Sequence, residues 1–107
     1  MKFLLKDYAY YLKNEKGSSQ NTIESYLRDL EQYTQFLEKV HGVKKPDQIE
    51  KMHIESYMRS LKRHMTTKSM ARKLTAIRSF HHFLFLEKEV DEDVVKAIES
   101  PKIEKHL

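Results

Sequence analysis

The chain has 107 residues, of which 39% are hydrophobic and 34% are charged, a composition typical of one globular domain with a single core. It contains no cysteine, which excludes a disulfide framework and a cysteine-ligated zinc site. No apolar stretch approaches the roughly 20 residues of a membrane-spanning helix, and the first residues lack the long apolar region of a signal peptide. We therefore expect a cytoplasmic protein.

Apolar residues recur at helical spacing along most of the chain, and the few Gly and Pro residues lie where this spacing breaks. The pattern predicts a first helix over about 2–15, with Gly17 just beyond its end. A second helix is predicted over about 20–41, with Ser19 or Asn21 as its N-cap residue.

Three further helices are predicted in the second half of the chain. The third covers about 52–64, and the fourth extends from a cap at Thr66 or Thr67 to about Glu87. A short fifth helix is expected to be capped by Asp91 and to stop before the last proline. No segment alternates apolar and polar residues as a strand does. The sequence therefore predicts an all-α domain of four main helices and a short fifth.

The basic residues are concentrated in one segment. Between Ser56 and Leu86 the chain has seven Lys or Arg residues and no Asp or Glu, whereas the other 76 residues have 13 basic and 16 acidic side chains. A field of one sign indicates a polyanion partner, with nucleic acid as the first candidate. One alternative is a solvated helix face that merely lacks acids. A basic helix lying on an anionic membrane is disfavoured, because the aromatic residues are needed for the core.

Two predicted helices have polar faces opposite their apolar stripes. The face of the fourth helix is basic, small and polar, as a helix in a DNA major groove requires. It carries Lys68, Arg72, Thr75, Ala76, Ser79 and His82. The face of the second helix is rich in hydrogen-bonding side chains and carries Asn21, Ser25, Arg28, Gln32, Gln35 and Lys39. We expect these faces to bind duplex DNA, together with the neighbouring residues Thr22, Ser69, Lys73 and Arg78.

The sequence contains no pattern that indicates catalysis or metal binding. No two of the six histidines have the i, i+4 spacing of a helical zinc site, and His81 is expected to be a partly buried core residue. There is also no Gly-rich phosphate loop, nucleophile elbow or paired-carboxylate signature. We therefore expect no enzyme activity, metal ion or cofactor in these 107 residues.

Several short motifs, taken in order, resemble a known family. They are Gly17-x-Ser19-x-Asn21-Thr22-x3-Tyr26-x-Arg28-Asp29-Leu30, then Lys68-Ser69-x2-Arg72-Lys73-Leu74-x-Ala76-Ile77-Arg78-Ser79-Phe80, and finally Ser100-Pro101-Lys102. Nearly the whole chain resembles the amino-terminal core-binding domain of tyrosine site-specific recombinases, closest to the Xer type. The resemblance implies a SAM-like four-helix bundle that packs on one face of the recombination site. Its second and fourth helices would cross at the major groove.

The resemblance also implies what surrounds this domain. It divides the chain into a DNA-binding domain over 1–100 and the start, at 101–107, of a linker to a carboxy-terminal catalytic domain. Double-stranded DNA and other recombinase subunits are the implied partners. The chain alone is expected to be a monomer, because its apolar stripes account for one complete core. Two departures from the family pattern, Lys51 in place of a Thr or Ser cap and Asp91-Glu92-Asp93 in place of Asn-Pro, concern the starts of the third and fifth helices.

Two other functions stay open at this stage. An all-α interaction module could use the basic face to bind an acidic protein. A steep salt dependence of binding to duplex DNA would distinguish the two partners, because phosphate contacts release counterions. A helix-turn-helix regulator is disfavoured, since no two predicted helices are joined by the short turn of that motif.

Overall fold

The computed structural model describes residues 1–100. They form four α-helices and two short 3₁₀ turns, joined by short connecting segments. The helices are α1 (Lys2–Asn14), α2 (Gln20–His41), α3 (Lys51–Lys62) and α4 (Thr67–Leu86), and the 3₁₀ turns are Pro46–Gln48 and Val94–Ala97. These residues contain no strand, so the predicted all-α class is confirmed. The linker expected at 101–107 lies outside the described residues.

Local hydrogen bonds determine where the two long helices begin and end. Ser19 Oγ accepts the N–H of Thr22 at the start of α2, and Thr66 Oγ1 accepts the N–H of Ser69 at the start of α4. α2 ends at Gly42, whose φ of 67° lies in the left-handed region that glycine adopts without a Cβ penalty. These ends agree with the sequence-based prediction.

The start of α3 uses a histidine ring where a capping box usually has the side chain of Glu or Gln. Glu50 is the N-cap residue, and its N–H donates to Nδ1 of His53 at 2.9 Å. This hydrogen bond satisfies a backbone donor that the first turn of the helix leaves without an intrahelical partner. α3 therefore begins at Lys51, one residue earlier than predicted.

The short fifth helix, predicted with Asp91 as its cap, is not an α-helix. The chain forms a 3₁₀ turn over Val94–Ala97 instead, and its cap is Asp93, whose carboxylate accepts the N–H of Val95. A segment of four residues forms too few α-helical hydrogen bonds to offset the free-energy cost of nucleating an α-helix. Burial of Val95 and Ile98 holds the segment on the bundle.

α4 is the central helix of the bundle. It packs against α1, α2, α3 and the turn Val94–Ala97. Nine of its twenty residues are buried, so its core side is wider than one apolar stripe. From α1, the Tyr8 ring meets Phe80 edge-on with centroids 5.4 Å apart, a favourable aromatic geometry.

A tyrosine and a histidine lie at hydrogen-bond distance inside the core between α2 and α4. The hydroxyl of Tyr33 is 2.9 Å from Nε2 of His81, and both side chains are buried. Burial lowers the pKa of His81 from 6.5 to about 4, because the charged imidazolium would lose its hydration. Asp47, Asp91 and Glu92 line a surface cavity together with His81 and would favour its charged form, but the effect of burial is larger. His81 is therefore neutral at pH 7 and is more deeply buried than expected.

We predict that the fold loses stability as the pH falls from about 6.5 towards 4, and that His81 causes a large part of the loss. The unfolded chain protonates this residue near pH 6.5 but the folded chain only near pH 4, so protons favour unfolding. A pKa difference of this size corresponds to a loss on the order of 3 kcal/mol. Urea unfolding monitored by circular dichroism across this pH range measures the loss.

The matched control for this prediction is the next residue, His82, which is exposed. His82→Gln should keep the wild-type dependence of stability on pH, whereas His81→Gln should flatten it. A wild-type pH dependence in the His81 variant would contradict the prediction.

Candidate nucleic-acid interface

The predicted polar face of α2 is accessible along its first half. Asn21, Arg28 and Gln32 are exposed and lie on one side of the helix, because they are separated by four or seven residues. Thr22 and Ser25, beside them, are half-buried. Glu24 and Glu31 are also exposed, but the helical spacing places them beside this face and not at its centre.

The predicted polar face of α4 is also accessible to solvent. Lys68, Arg72, Thr75 and His82 are exposed, and Ser69 is half-buried next to the helix cap. Ser79 is also half-buried, and its Oγ accepts a hydrogen bond of 2.7 Å from the hydroxyl of Tyr8. Since Tyr8 belongs to α1, Ser79 marks the edge of the α4 face.

The structure places two of the predicted DNA-binding residues in the core: Ala76, assigned to the polar face of the fourth helix, is 0% exposed, and its neighbour Lys73 is 4% exposed. The Lys73 ammonium donates to Asp29 Oδ1 at 2.9 Å and to Gln32 Oε1 at 2.7 Å. A helix packed on several sides leaves only a narrow strip for solvent, and these two residues fall outside that strip.

Arg78, which was also predicted to bind DNA, uses its guanidinium to bind the backbone of its own chain. It donates to the carbonyl oxygens of Val95 at 3.3 Å and Ile98 at 2.7 Å, and to Oγ of Ser100 at 3.2 Å. These hydrogen bonds tie α4 to the segment around the turn Val94–Ala97. Arg78 therefore has a structural role, and its donors are directed at residues 95–100, which we call the C-terminal segment.

Asp29 is the residue of this site that the sequence analysis missed. Its side chain is 4% exposed, and Oδ1 lies 2.9 Å from Nζ of Lys73 and 3.8 Å from Nη2 of Arg72. The side chain of Arg72 is itself 61% exposed. The available signal was the position of Asp29 on the apolar side of α2, three residues after Tyr26 and four before Tyr33. An acid at such a position indicates a buried cation on a neighbouring element.

The two helices thus present one mixed surface on either side of the Asp29–Lys73 pair, which we call the α2–α4 face. Its exposed charged and amide side chains are Asn21, Arg28 and Gln32 on α2 and Lys68 and Arg72 on α4. Side chains of these types donate to phosphate oxygens and to the edges of bases. The α4 part of the face contains no acid that would compete for its cations.

Over 1–100, no three His, Asp or Glu side chains are grouped so that they could hold a metal ion. No helix in the same range is long and apolar enough to cross a bilayer.

Burial raises the pKa of Tyr57 to about 12 and that of Tyr33 further, so both hydroxyls are neutral at pH 7.

Residues 5–88 match the protein family described as phage integrase, N-terminal SAM-like domain. The chain belongs to this family. The resemblance drawn from the motifs is therefore confirmed, and so is the SAM-like fold of four main helices. No solved structure gives a significant match to the chain.

This SAM-like domain is similar to part of several proteins named tyrosine recombinase XerD. It is 40% identical over 104 residues to the one from Halalkalibacterium halodurans, 36% over 108 residues to that from Staphylococcus haemolyticus, and 32% over 108 residues to that from Oceanobacillus iheyensis. These alignments cover 96%, 100% and 100% of the chain but 35%, 36% and 36% of the relatives. The chain thus spans about a third of the length of the curated relatives it matches.

We predict that Arg78→Ala destabilises the SAM-like domain by about 1–3 kcal/mol, because two carbonyl groups lose a charged donor. Arg78→Lys keeps the charge but lacks the planar fork that reaches both carbonyls, so it should restore little of the loss. Urea unfolding measures both variants. Arg28→Ala, at an exposed position on α2, should change stability by less than about 0.5 kcal/mol. Wild-type stability of Arg78→Ala would show that the guanidinium does not hold the C-terminal segment.

Proposed function

We propose that this chain binds duplex DNA, and does so with sequence preference, as the amino-terminal clamp domain of a tyrosine recombinase. The observation that supports this most directly is the α2–α4 face, where exposed cations and amides from two adjoining helices lie together. Family membership adds support, because the relatives are named tyrosine recombinases. DNA binding by two crossed helices needs such a face on each of them.

Five exposed residues of the face have a defined role in this proposal. Arg28 contacts a phosphate and helps to orient the domain on the duplex. Arg72, in the middle of the acid-free segment, contacts either a phosphate or the edge of a guanine. The exposed amide of Asn21 has the donor and acceptor pattern that recognises adenine, whereas Gln32, whose oxygen accepts from Lys73, offers its amide N–H donors. Thr75 is small enough to let α4 approach the groove.

The proposal assigns DNA cleavage and rejoining to a catalytic domain outside this chain. Residues 1–100 form the DNA-binding domain, and 101–107 begin the linker. The length of the relatives supports this division, because the match accounts for about a third of each. Other recombinase subunits are the proposed protein partners in the assembled complex. The chain alone is a monomer in this proposal.

The central test is Arg72→Ala, measured by titration with duplex DNA of several sequences at two salt concentrations. If Arg72 contacts a phosphate, the variant should bind every duplex more weakly, and the slope of log affinity against log salt should fall by about one. If Arg72 contacts guanine, the loss should be on the order of 1–3 kcal/mol and confined mainly to the preferred duplex.

Lys45→Ala is the matched control, because it removes one exposed positive charge from the connector between α2 and α3. It should leave affinity and salt slope close to those of the wild type. Unchanged binding by Arg72→Ala at both salt concentrations would remove α4 from the DNA interface. It would favour an acidic protein as the partner of the basic face.

A further inference from the structure

Arg72 lies within reach of two anions, a buried carboxylate of its own chain and the DNA to which the proposed function assigns it. Its Nη2 is 3.8 Å from Asp29 Oδ1, longer than a hydrogen bond but close enough for strong attraction. With 61% of its side chain exposed, Arg72 occupies the boundary between the Asp29 carboxylate and solvent. If the negative charge of Asp29 were less fully neutralised, it would draw the Arg72 guanidinium inward.

Lys73 offsets most of this attraction. Its ammonium is buried and lies 2.9 Å from the same Oδ1 of Asp29. Among the described residues, Oδ2 of Asp29 has no hydrogen-bond partner, so the carboxylate retains an unused acceptor. A buried carboxylate with unused capacity will take a second cation if the first is removed, because an uncompensated charge in the interior is costly.

Lys73 also orients Gln32. An ammonium group can only donate, so the side-chain oxygen of Gln32, 2.7 Å away, must be the atom that faces it. The amide nitrogen of Gln32 is then turned away from Lys73, at an exposed position of the α2–α4 face. One buried lysine thereby acts on an exposed residue of each helix.

We propose that Lys73 is a positioning residue for DNA binding: by occupying Asp29 it keeps the Arg72 guanidinium available to the duplex. This inference rests on the proposed function. When the Lys73 ammonium is absent, Arg72 turns inward and takes the two oxygens of Asp29 in the bidentate geometry that arginine favours. The α2–α4 face then loses a cation although none of its exposed residues has changed.

The test compares Lys73→Met with Arg72→Ala in the 107-residue chain. Lys73→Met removes the buried charge and keeps a flexible apolar side chain. It should weaken binding to duplex DNA, and change the salt slope, by about the same amounts as Arg72→Ala does. Asp29→Asn/Lys73→Met removes both buried charges, which frees Arg72 again. Affinity and salt slope should then return close to the wild-type values.

Urea unfolding of each variant shows whether it is folded under the binding conditions. If Lys73→Met does not fold, Lys73→Gln is the second variant, because its amide still donates to Asp29 while the charge is absent. The same loss of affinity and slope is expected. A Lys73 that only stabilised the fold would lower the urea midpoint without changing the salt slope of the folded protein.

The outcomes distinguish DNA binding by the α4 face from the positioning role of Lys73. If Arg72→Ala binds DNA like the wild type, the proposed function of the α4 face fails. If Arg72→Ala weakens binding but folded Lys73→Met or Lys73→Gln keeps the wild-type affinity and slope, the positioning role is overturned and the DNA function stands. Failure of the double variant to regain the salt slope would also overturn the positioning role.

Discussion

Where α2 packs on α4, the ammonium of Lys73 and the carboxylate of Asp29 lie 2.9 Å apart with almost no contact with solvent. Removing two charges from water costs about as much as their mutual attraction returns, so such a pair adds little net stability. It strongly disfavours any packing that separates the charges, because each would then be buried alone. We infer that the pair fixes how the two helices meet, and with them the position of the α2–α4 face.

Aromatic packing around the pair holds α2 against its neighbouring helices. The ring of Tyr33 packs between those of Tyr57 and His81, with centroids 5.3 Å and 5.9 Å away, and joins α2 to α3 and α4. Tyr8 of α1 packs against Phe80 of α4 in the same way. A central helix held on several sides has little freedom to move when it binds. A preorganised face of this kind loses less conformational entropy on binding DNA than a mobile one would.

The sequence predicted the four helices because their signals are local: a strong apolar period, and caps such as Ser19 and Thr66 that act within one turn. It also predicted which sides of α2 and α4 are polar. The sequence could not show that Lys73 and Arg78 differ from the exposed cations. Lysine and arginine serve both in buried contacts and at DNA interfaces, and the residues that Lys73 and Arg78 contact lie far away in the chain. The prediction of a fifth helix after Asp91 was wrong, because the segment around Val94–Ala97 is held by the burial of its apolar side chains and not by helical propensity.

The most direct test of the account is an NMR titration of the isotope-labelled 107-residue chain with duplex DNA. A DNA interface on the α2–α4 face predicts that amide signals over 21–32 and 68–82 shift or broaden most, and that side-chain signals of Arg28 and Arg72 change with them. Signals of α1 and of the acidic segment 87–93 should stay close to their free positions. Changes confined to α1, or to the part of α3 that faces away from α2, would contradict the account.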